Sequence, residues 1–138
     1  MKKKTVSVRL TEELLERLRR RARLTSGGQH TTLAERYIEE GLRMDEHPRI
    51  YFRAGETGRR AAIRGTRLDV ATVVDTIVQN DDSITKAAEY LGISVADVQA
   101  CAAYYADYQA EVDAWRERLR EAADIAEAAW HRQQGTFA

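Results

Sequence analysis

The chain opens with a strict alternation of polar and apolar side chains. Thr5, Ser7 and Arg9 alternate with Val6, Val8 and Leu10. A period of two predicts a β-strand with one apolar and one polar face. Hydroxyl and guanidinium groups hydrogen-bond base edges and phosphates, and residues 2–4 are all lysine, so the polar face is typical of a strand that lies on DNA. The alternative is an amphipathic edge strand with a solvated lysine tail.

A helical period follows the predicted strand. Thr11 is suited to cap a helix, and Glu12 and Glu13 would lie in its first turn, where the helix dipole favours negative charge. A second helix is expected from about Thr32, which forms a capping box with Glu35. The predicted inward residues are Leu14, Leu15, Leu18 and Ala22 in the first helix, and Ala34, Tyr37, Ile38 and Leu42 in the second.

One strand and two helices cannot satisfy a sheet alone, because an isolated strand leaves its backbone groups unpaired. Two chains that pair their strands antiparallel would solve this. Residues 3–45 resemble the ribbon-helix-helix family of repressors on the pattern that runs through Arg9-Leu-Thr-Glu-Glu-Leu14. The connection at Gly27-Gly-Gln-His30 is longer than that family's usual turn.

The resemblance implies a dimer that binds operator DNA. It implies that the outward strand residues read bases in the major groove and that the start of the second helix holds a phosphate. Together with the lysine run, the candidate DNA-binding residues are Lys2, Lys3, Lys4, Thr5, Ser7, Arg9, Thr31 and Thr32.

A second region begins after Pro48, since proline discourages helix in the residue before it. Two apolar runs around Ala54–Gly58 predict a β-hairpin, and Gly65–Asp69 predicts a further turn. Three helices should follow, ending near Asn80, Leu91 and Tyr108. Their predicted inward residues are Val70, Val73, Val74 and Ile77, then Ile84, Ala87, Ala88 and Leu91, then Val95, Val98, Ala102 and Tyr105.

The stretch from Ala87 to Ser94 has the pattern of a helix-turn-helix, with Gly92 at the turn. The exposed side of its second helix would offer Ala96, Asp97, Gln99 and Ala100, with no lysine or arginine. We therefore interpret this unit as a packing or dimerisation module. Cys101 lies in the same helix and is expected to be a small core side chain.

Residues 47–112 resemble the domain of unknown function four-three-three, most specifically at Ile63-Arg-Gly-Thr-Arg67. Such modules are common in VapB-like antitoxins and occur beside genes for PIN-like ribonuclease toxins. The resemblance implies an antitoxin, and it supplies no catalytic residue. The alternative for the arginines of residues 59–67 is a solvated hairpin surface.

From Gln109 onward the pattern predicts one long helix. Its apolar residues step by four and three in a heptad seam, at Tyr108, Val112, Trp115, Leu119, Ala122, Ala126 and Ala129. A stripe of this kind needs cover. It packs either on the protein itself, within its own domain or on the second protomer of the dimer, or in the groove of a toxin. The candidate toxin-binding residues are Trp115, Arg116, Leu119, Arg120, Ile125 and Trp130.

Composition alone conceals the basic start of the chain, because 22 basic and 22 acidic residues balance. Residues 1–24 hold nine basic and three acidic residues, residues 49–67 six and one, and residues 68–114 one and nine. Only the first two segments suit phosphate. The distribution therefore favours DNA as a ligand of the N-terminal part.

Other functions have little support in the sequence. The histidines (His30, His47 and His131) lack metal-ligand spacing, and no catalytic motif is present, so neither an enzyme nor a cofactor is expected. A single cysteine and the lack of a membrane span or signal-peptide core indicate a cytoplasmic protein.

The sequence thus predicts a mainly α protein in three parts. Residues 1–46 form a ribbon-helix-helix dimer head, residues 47–108 a hairpin plus helix-turn-helix-like module, and residues 109–138 a long amphipathic helix. The expected function is that of an antitoxin that represses its own promoter as a homodimer. It would bind a PIN-like ribonuclease toxin, either as that homodimer or in a higher oligomer, and would neutralise the toxin. The alternatives are a stand-alone repressor whose second domain oligomerises or senses a ligand, and a scaffold protein that does not bind DNA.

Overall fold

A computed structural model describes residues 2–25, 27–55 and 58–137 of the chain. Contacts divide it into two compact units, residues 1–42 and residues 43–138. We call the first the head and the second the module. The division falls inside a helix, a few residues before the predicted domain boundary.

The head contains helix α1 (Glu12–Thr25) and most of helix α2 (His30–Glu46). The predicted cap of α1 is confirmed, since the Thr11 hydroxyl accepts a hydrogen bond from the backbone N–H of Leu14 at 3.1 Å. The predicted start of α2 is wrong by two residues. The helix begins at His30, and the first carbonyl it uses is that of Gln29, which accepts from Leu33 N–H.

Because α2 begins at His30, the predicted capping box is wrong. Thr32 lies inside the first turn, where its own backbone is already helical, so its side chain cannot act as the cap. Glu35 instead forms an ion pair with Lys3, with 3.1 Å between Nζ and Oε2. On α2, Leu33, which was not predicted to be inward, is fully buried, whereas the predicted Tyr37, Ile38 and Leu42 are exposed in the single chain. Their burial in a dimer remains a prediction.

Residues 2–10 form no strand within this chain. A strand is defined by hydrogen bonds to a neighbouring strand, and the described residues of the head contain no second strand with which to pair. The predicted partner is a second copy of the chain. The paired strand therefore remains a prediction.

The module begins with an antiparallel hairpin of strands β1 (Ile50–Gly55) and β2 (Gly58–Ile63). This confirms the predicted hairpin, with Ile50 opposite Ile63 and Arg53 opposite Arg60. Two residues of the predicted glycine turn, Glu56 and Thr57, lie outside the described residues. The second predicted turn is present, with Gly65 at φ 78°.

Three helices follow the hairpin, as predicted: α3 (Val70–Gln79), α4 (Ile84–Leu91) and α5 (Val95–Asp107). The hydroxyls of Ser83 and Ser94 cap α4 and α5 by accepting from Lys86 N–H and Asp97 N–H. Gly92 ends α4 in the left-handed region at φ 68°, which glycine adopts without steric cost. Helices α3, α4 and α5 pack on one another in pairs.

The core of the module joins the hairpin to these helices. Its fully buried large side chains include Ile50, Ile63, Val70, Val73, Val98, Cys101 and Tyr104. Burial of Cys101 confirms its predicted role as a core side chain. The inward face of α5 is partly wrong, because Val95 is 42% exposed while Tyr104, not predicted, is buried. Val95 is the first residue of α5, so no preceding turn of this helix lies beneath its side chain.

Helix α6 (Gln109–Phe137) is the predicted long helix. Val112 is buried, and Trp115 and Leu119 pack against the module core. Beyond Leu119 almost every residue is exposed. The heptad seam is therefore covered over its first half only. No helix in the described part of the chain combines the length and the apolar character that a membrane span requires.

Candidate DNA-binding and partner-binding surfaces

The candidate DNA-binding residues of the head are all exposed. They are Lys2, Lys3, Lys4, Thr5, Ser7, Arg9, Thr31 and Thr32. The ion pair between Lys3 and Glu35 joins the lysine run to α2, one turn beyond its two exposed threonines. Both partners are mostly solvated, so the pair contributes little stability, and Lys3 can exchange Glu35 for a phosphate at small cost.

The apolar side of the same segment is uncovered. Val6 is 79% exposed and Val8 is 67% exposed. Together with Leu10, Leu14, Tyr37 and Ile38 they line an open groove of about 1340 Å³ within the head. Large apolar patches are seldom left in water by a stable monomer. A single head therefore leaves unburied the residues that the sequence predicts to be inward.

The helix-turn-helix unit of the module is formed by α4 and α5. Gln99 is exposed at the start of α5, and Ala96, Asp97 and Ala100 are partly covered. The sequence suggested no basic residue here, yet Arg49 donates from Nη1 to Asp97 Oδ1 at 2.9 Å. A residue 48 positions earlier therefore brings a guanidinium to this helix. Spacing along the sequence offered no signal for it.

The arginines of the hairpin fall into two groups. Arg53 and Arg60 are partly buried, and their Nε atoms lie 3.2 and 2.9 Å from the two carboxylate oxygens of Asp69. Arg59 is partly buried as well and donates to the Phe52 carbonyl. Arg53 and Arg60 thus fasten the hairpin to Asp69, the residue before α3, whereas the Arg59 contact lies within the hairpin. In contrast, Arg49, Arg64 and Arg67 are exposed.

A second internal cluster surrounds Arg43, near the end of α2. Its Nη1 donates to Glu111 at 2.7 Å and to the Tyr104 hydroxyl at 2.8 Å, and its guanidinium lies 4.0 Å from the centre of the Tyr108 ring. Burial lowers the pKa of Arg43, but the contacts with Glu111 and Tyr104 outweigh it and raise that pKa. Burial and the hydrogen bond to Glu111 raise the pKa of Tyr104. The Arg43 guanidinium therefore keeps its positive charge, and we interpret the cluster as a structural one.

A third cluster lies between α3 and α6. Arg116 donates from Nε to Asp75 at 2.6 Å and from Nη1 to Asp113 at 2.9 Å. The Tyr105 hydroxyl donates to Asp113 at 2.8 Å and, with Arg116, lowers the pKa of that carboxyl. Burial lowers the pKa of Arg116, whereas its hydrogen bonds to the two carboxylates raise it, and the net shift is upward.

The candidate toxin-binding residues divide along α6. Trp115 and Leu119 pack against the module core, and Arg116 forms an ion pair with Asp75. Arg120 is exposed beside Asp75 and Glu117. Ile125 is 69% exposed and Trp130 is 58% exposed. The residues available to a partner therefore lie in the distal half of the helix, which we define as residues 121–137.

The described ranges contain no cluster of metal ligands and no exposed thiol. No three His, Cys, Asp or Glu residues there are grouped as metal ligands. His47 pairs with Asp107 at 2.8 Å and packs against Tyr104. Burial, aided by the charge of Asp97, raises the pKa of Cys101 to about 12, so its thiol stays protonated at neutral pH.

The comparisons with known proteins give one match. A family model described as "Protein of unknown function (DUF433)" matches residues 53–105, which span most of the hairpin and helices α3 to α5. This is the family that the sequence resembles in its middle part. No curated protein and no solved structure matches the chain significantly.

Proposed function

We propose that the chain is a DNA-binding repressor whose head dimerises in the ribbon-helix-helix manner. The observation that carries the proposal is the division of one short segment into two faces. In residues 5–9, Thr5, Ser7 and Arg9 alternate with two exposed valines. Val6 and Val8 line the open groove together with Thr5, whereas Ser7 and Arg9 are not part of its lining. Pairing two such segments would bury the valines and turn the polar residues outward as one surface.

The charge of the head supports DNA as the ligand. Its first 24 residues carry a surplus of six positive charges, although the whole chain is neutral. Lysines near the strand would contact phosphates without regard to sequence, and Arg9 would distinguish guanine by a paired contact to its major-groove edge. The exposed first turn of α2 would add backbone N–H groups for a phosphate.

We further propose that the protein is an antitoxin, which binds a ribonuclease toxin of the PIN-like class through the distal half of α6. The supporting observation is that Ile125 and Trp130 remain exposed on a helix that extends past its own core. A helix-in-groove contact is a common way to cover such residues. A stand-alone repressor is the second candidate, favoured by the compact module, which completes its core without a partner.

Titration of the chain against duplex DNA from its own promoter tests the repressor proposal. Arg9→Ala should weaken specific binding by roughly 1–3 kcal/mol and relax preference at one base pair. Exchange of the lysines at 2–4 for glutamine should weaken binding to every sequence and flatten its dependence on salt. Unchanged affinity and specificity in Arg9→Ala would overturn the strand readout.

A further inference from the structure

Two exposed arginines of the module, Arg64 and Arg67, lie in the turn that links β2 to α3, and a third, Arg49, lies beside this turn just before β1. Arg64 and Arg67 flank Gly65 and Thr66, and the Arg64 backbone N–H donates to the Arg49 carbonyl at 2.8 Å. We call Arg49, Arg64 and Arg67 the arginine turn. Each of the three is exposed, unlike Arg53 and Arg60 of the same hairpin.

The backbone beneath these side chains is held firmly. The Thr66 hydroxyl donates to the Ile63 carbonyl at 2.9 Å and accepts from Leu68 N–H at 3.0 Å. The Tyr51 hydroxyl donates to the Thr66 carbonyl at 3.1 Å. Because the backbone of the turn is already fixed by three hydrogen bonds, less conformational entropy is lost when its flanking side chains bind a ligand.

The guanidinium groups have donors to spare. Arg64 uses Nε alone, which donates to the Pro48 carbonyl at 2.8 Å and leaves both terminal nitrogens available. Arg49 contacts Asp97 through Nη1 and is 55% exposed. For Arg67, no side-chain partner occurs within the residues that the structure describes. Arginine in this state suits phosphate, which accepts paired hydrogen bonds from its planar fork.

The arginine turn also adjoins the second helix of the helix-turn-helix unit. Asp97, which receives Arg49, lies in the first turn of α5 beside the Ser94 cap. Gln99 follows on the exposed side. In a helix-turn-helix the start of the second helix enters the major groove, and basic residues beside it contact the backbone. The position of the cluster therefore fits a DNA phosphate better than an acidic protein surface.

We propose that Arg49, Arg64 and Arg67 form a second DNA contact, which binds backbone phosphates of the duplex without reading its sequence. The inference rests on the proposed DNA-binding function and adds a surface to it. It also gives the motif Ile63-Arg-Gly-Thr-Arg67 a role, since two of its residues supply phosphate ligands and the two between them fix the turn.

The test measures binding of the full chain to promoter DNA and to an unrelated duplex over a range of salt concentrations. Replacement of all three arginines by glutamine should weaken both complexes alike and reduce the slope of log affinity against log salt by about 0.9 for each lost contact in each chain. Replacement by lysine should restore most of the slope, since lysine keeps the charge. Asp97→Asn should strengthen binding to both duplexes, because it removes a negative charge beside Arg49.

The matched control replaces Arg118, Arg120 and Arg132 by glutamine, which removes three positive charges from exposed positions of α6. It should leave the salt slope unchanged. Circular dichroism of every variant checks that the helices remain. An equal loss of slope in both sets would show that net charge alone acts, and this would overturn the proposal.

Two other results separate this proposal from the one it rests on. If the unaltered chain binds neither duplex, the DNA-binding function itself fails. If it binds normally but the glutamine variant binds equally well, only the arginine turn is refuted. Loss of binding to the neighbouring gene product with DNA binding intact would assign the arginines to a protein partner and would also refute it.

Discussion

Arg116 and Asp75 join α6 to α3 through a hydrogen bond of 2.6 Å between Nε and Oδ1. Both side chains are largely buried, with 14% and 21% exposed. The pair lies directly beyond Val112 and beside Trp115, one turn before Leu119, the last residue of α6 that packs against the module core. It therefore lies one turn before the place where α6 changes from a core element to an uncovered helix.

Removal of the Asp75 carboxylate should weaken this junction. In Asp75→Asn the charge of Arg116 loses its best partner while its side chain stays largely buried, so we expect a loss of about 1–3 kcal/mol in the free energy of unfolding. Urea unfolding followed by circular dichroism measures it. Glu117→Gln is the control, because Glu117 forms an exposed pair with Arg120 and should matter by less than about 0.5 kcal/mol. Equal effects of the two changes would contradict the importance of the junction.

Substitutions on the two faces of residues 5–9 should affect dimerisation and DNA binding separately. Val8→Asp places a charge in the proposed dimer core, where an unpaired charge costs several kcal/mol, so the dimer should dissociate. Ser7→Asp introduces the same group one residue earlier on the polar face, and should keep the dimer while abolishing DNA binding by repulsion from phosphate. Sedimentation of the full chain and titration with promoter DNA distinguish them. A dimer that survives Val8→Asp would refute the paired strands.

The buried thiol of Cys101 gives a dependence on pH. Its pKa rises from 9.0 to about 12 on folding. Between these values the unfolded chain has lost the proton and the folded chain retains it, so stability is fully present below pH 9 and falls as pH rises toward 12. The slope is at most about 1.4 kcal/mol per pH unit. Burial raises the pKa of Tyr104 as well, which adds to the loss in the same direction.

Urea unfolding at pH 8 to 11 measures this loss, and Cys101→Ala should lose less stability over the same range. A thiol reagent at pH 8 should label Cys101 slowly in the native chain and rapidly in denaturant. Rapid labelling of the folded chain would contradict the burial of the thiol.

The two tryptophans of α6 should behave differently. Trp115 packs against the core beside Gly58, so Trp115→Ala should destabilise the module by about 3 kcal/mol or more. Trp130 is mostly exposed, so Trp130→Ala should leave stability nearly unchanged and weaken capture of the neighbouring gene product.

Truncation after Glu121 extends the same test. It keeps Leu119 and the junction with Asp75, and should preserve DNA binding while abolishing toxin neutralisation, measured by co-purification and by growth rescue. A truncated chain that still silences the toxin would place the partner site elsewhere.

Local signals in the sequence predicted the elements of the module well. Ser83, Gly92 and Ser94 mark helix ends by chemistry that acts over a few residues, and the hairpin and α3 follow from their apolar periods. The predicted start of α2 was two residues too late. Thr32 and Glu35 match a capping pattern, but the helix already begins at His30, and the Gln29 carbonyl accepts its first helical hydrogen bond. Side chains that meet across the fold gave no such signal. Arg49 with Asp97 and Arg43 with Glu111 depend on how the helices pack, which residue spacing does not encode.

The helices of the module are packed against their neighbours in the chain, and this has a kinetic consequence. Contacts between α3 and α4 and between α4 and α5 close loops of only a few residues, so little chain entropy is lost before these contacts form. Domains built from such local contacts fold in microseconds to milliseconds. We therefore expect the module to refold within the dead time of manual mixing, whereas assembly of a dimeric head would proceed at a rate that rises with protein concentration. During synthesis, the centre of the chain would be structured before its N-terminal segment has met a second copy.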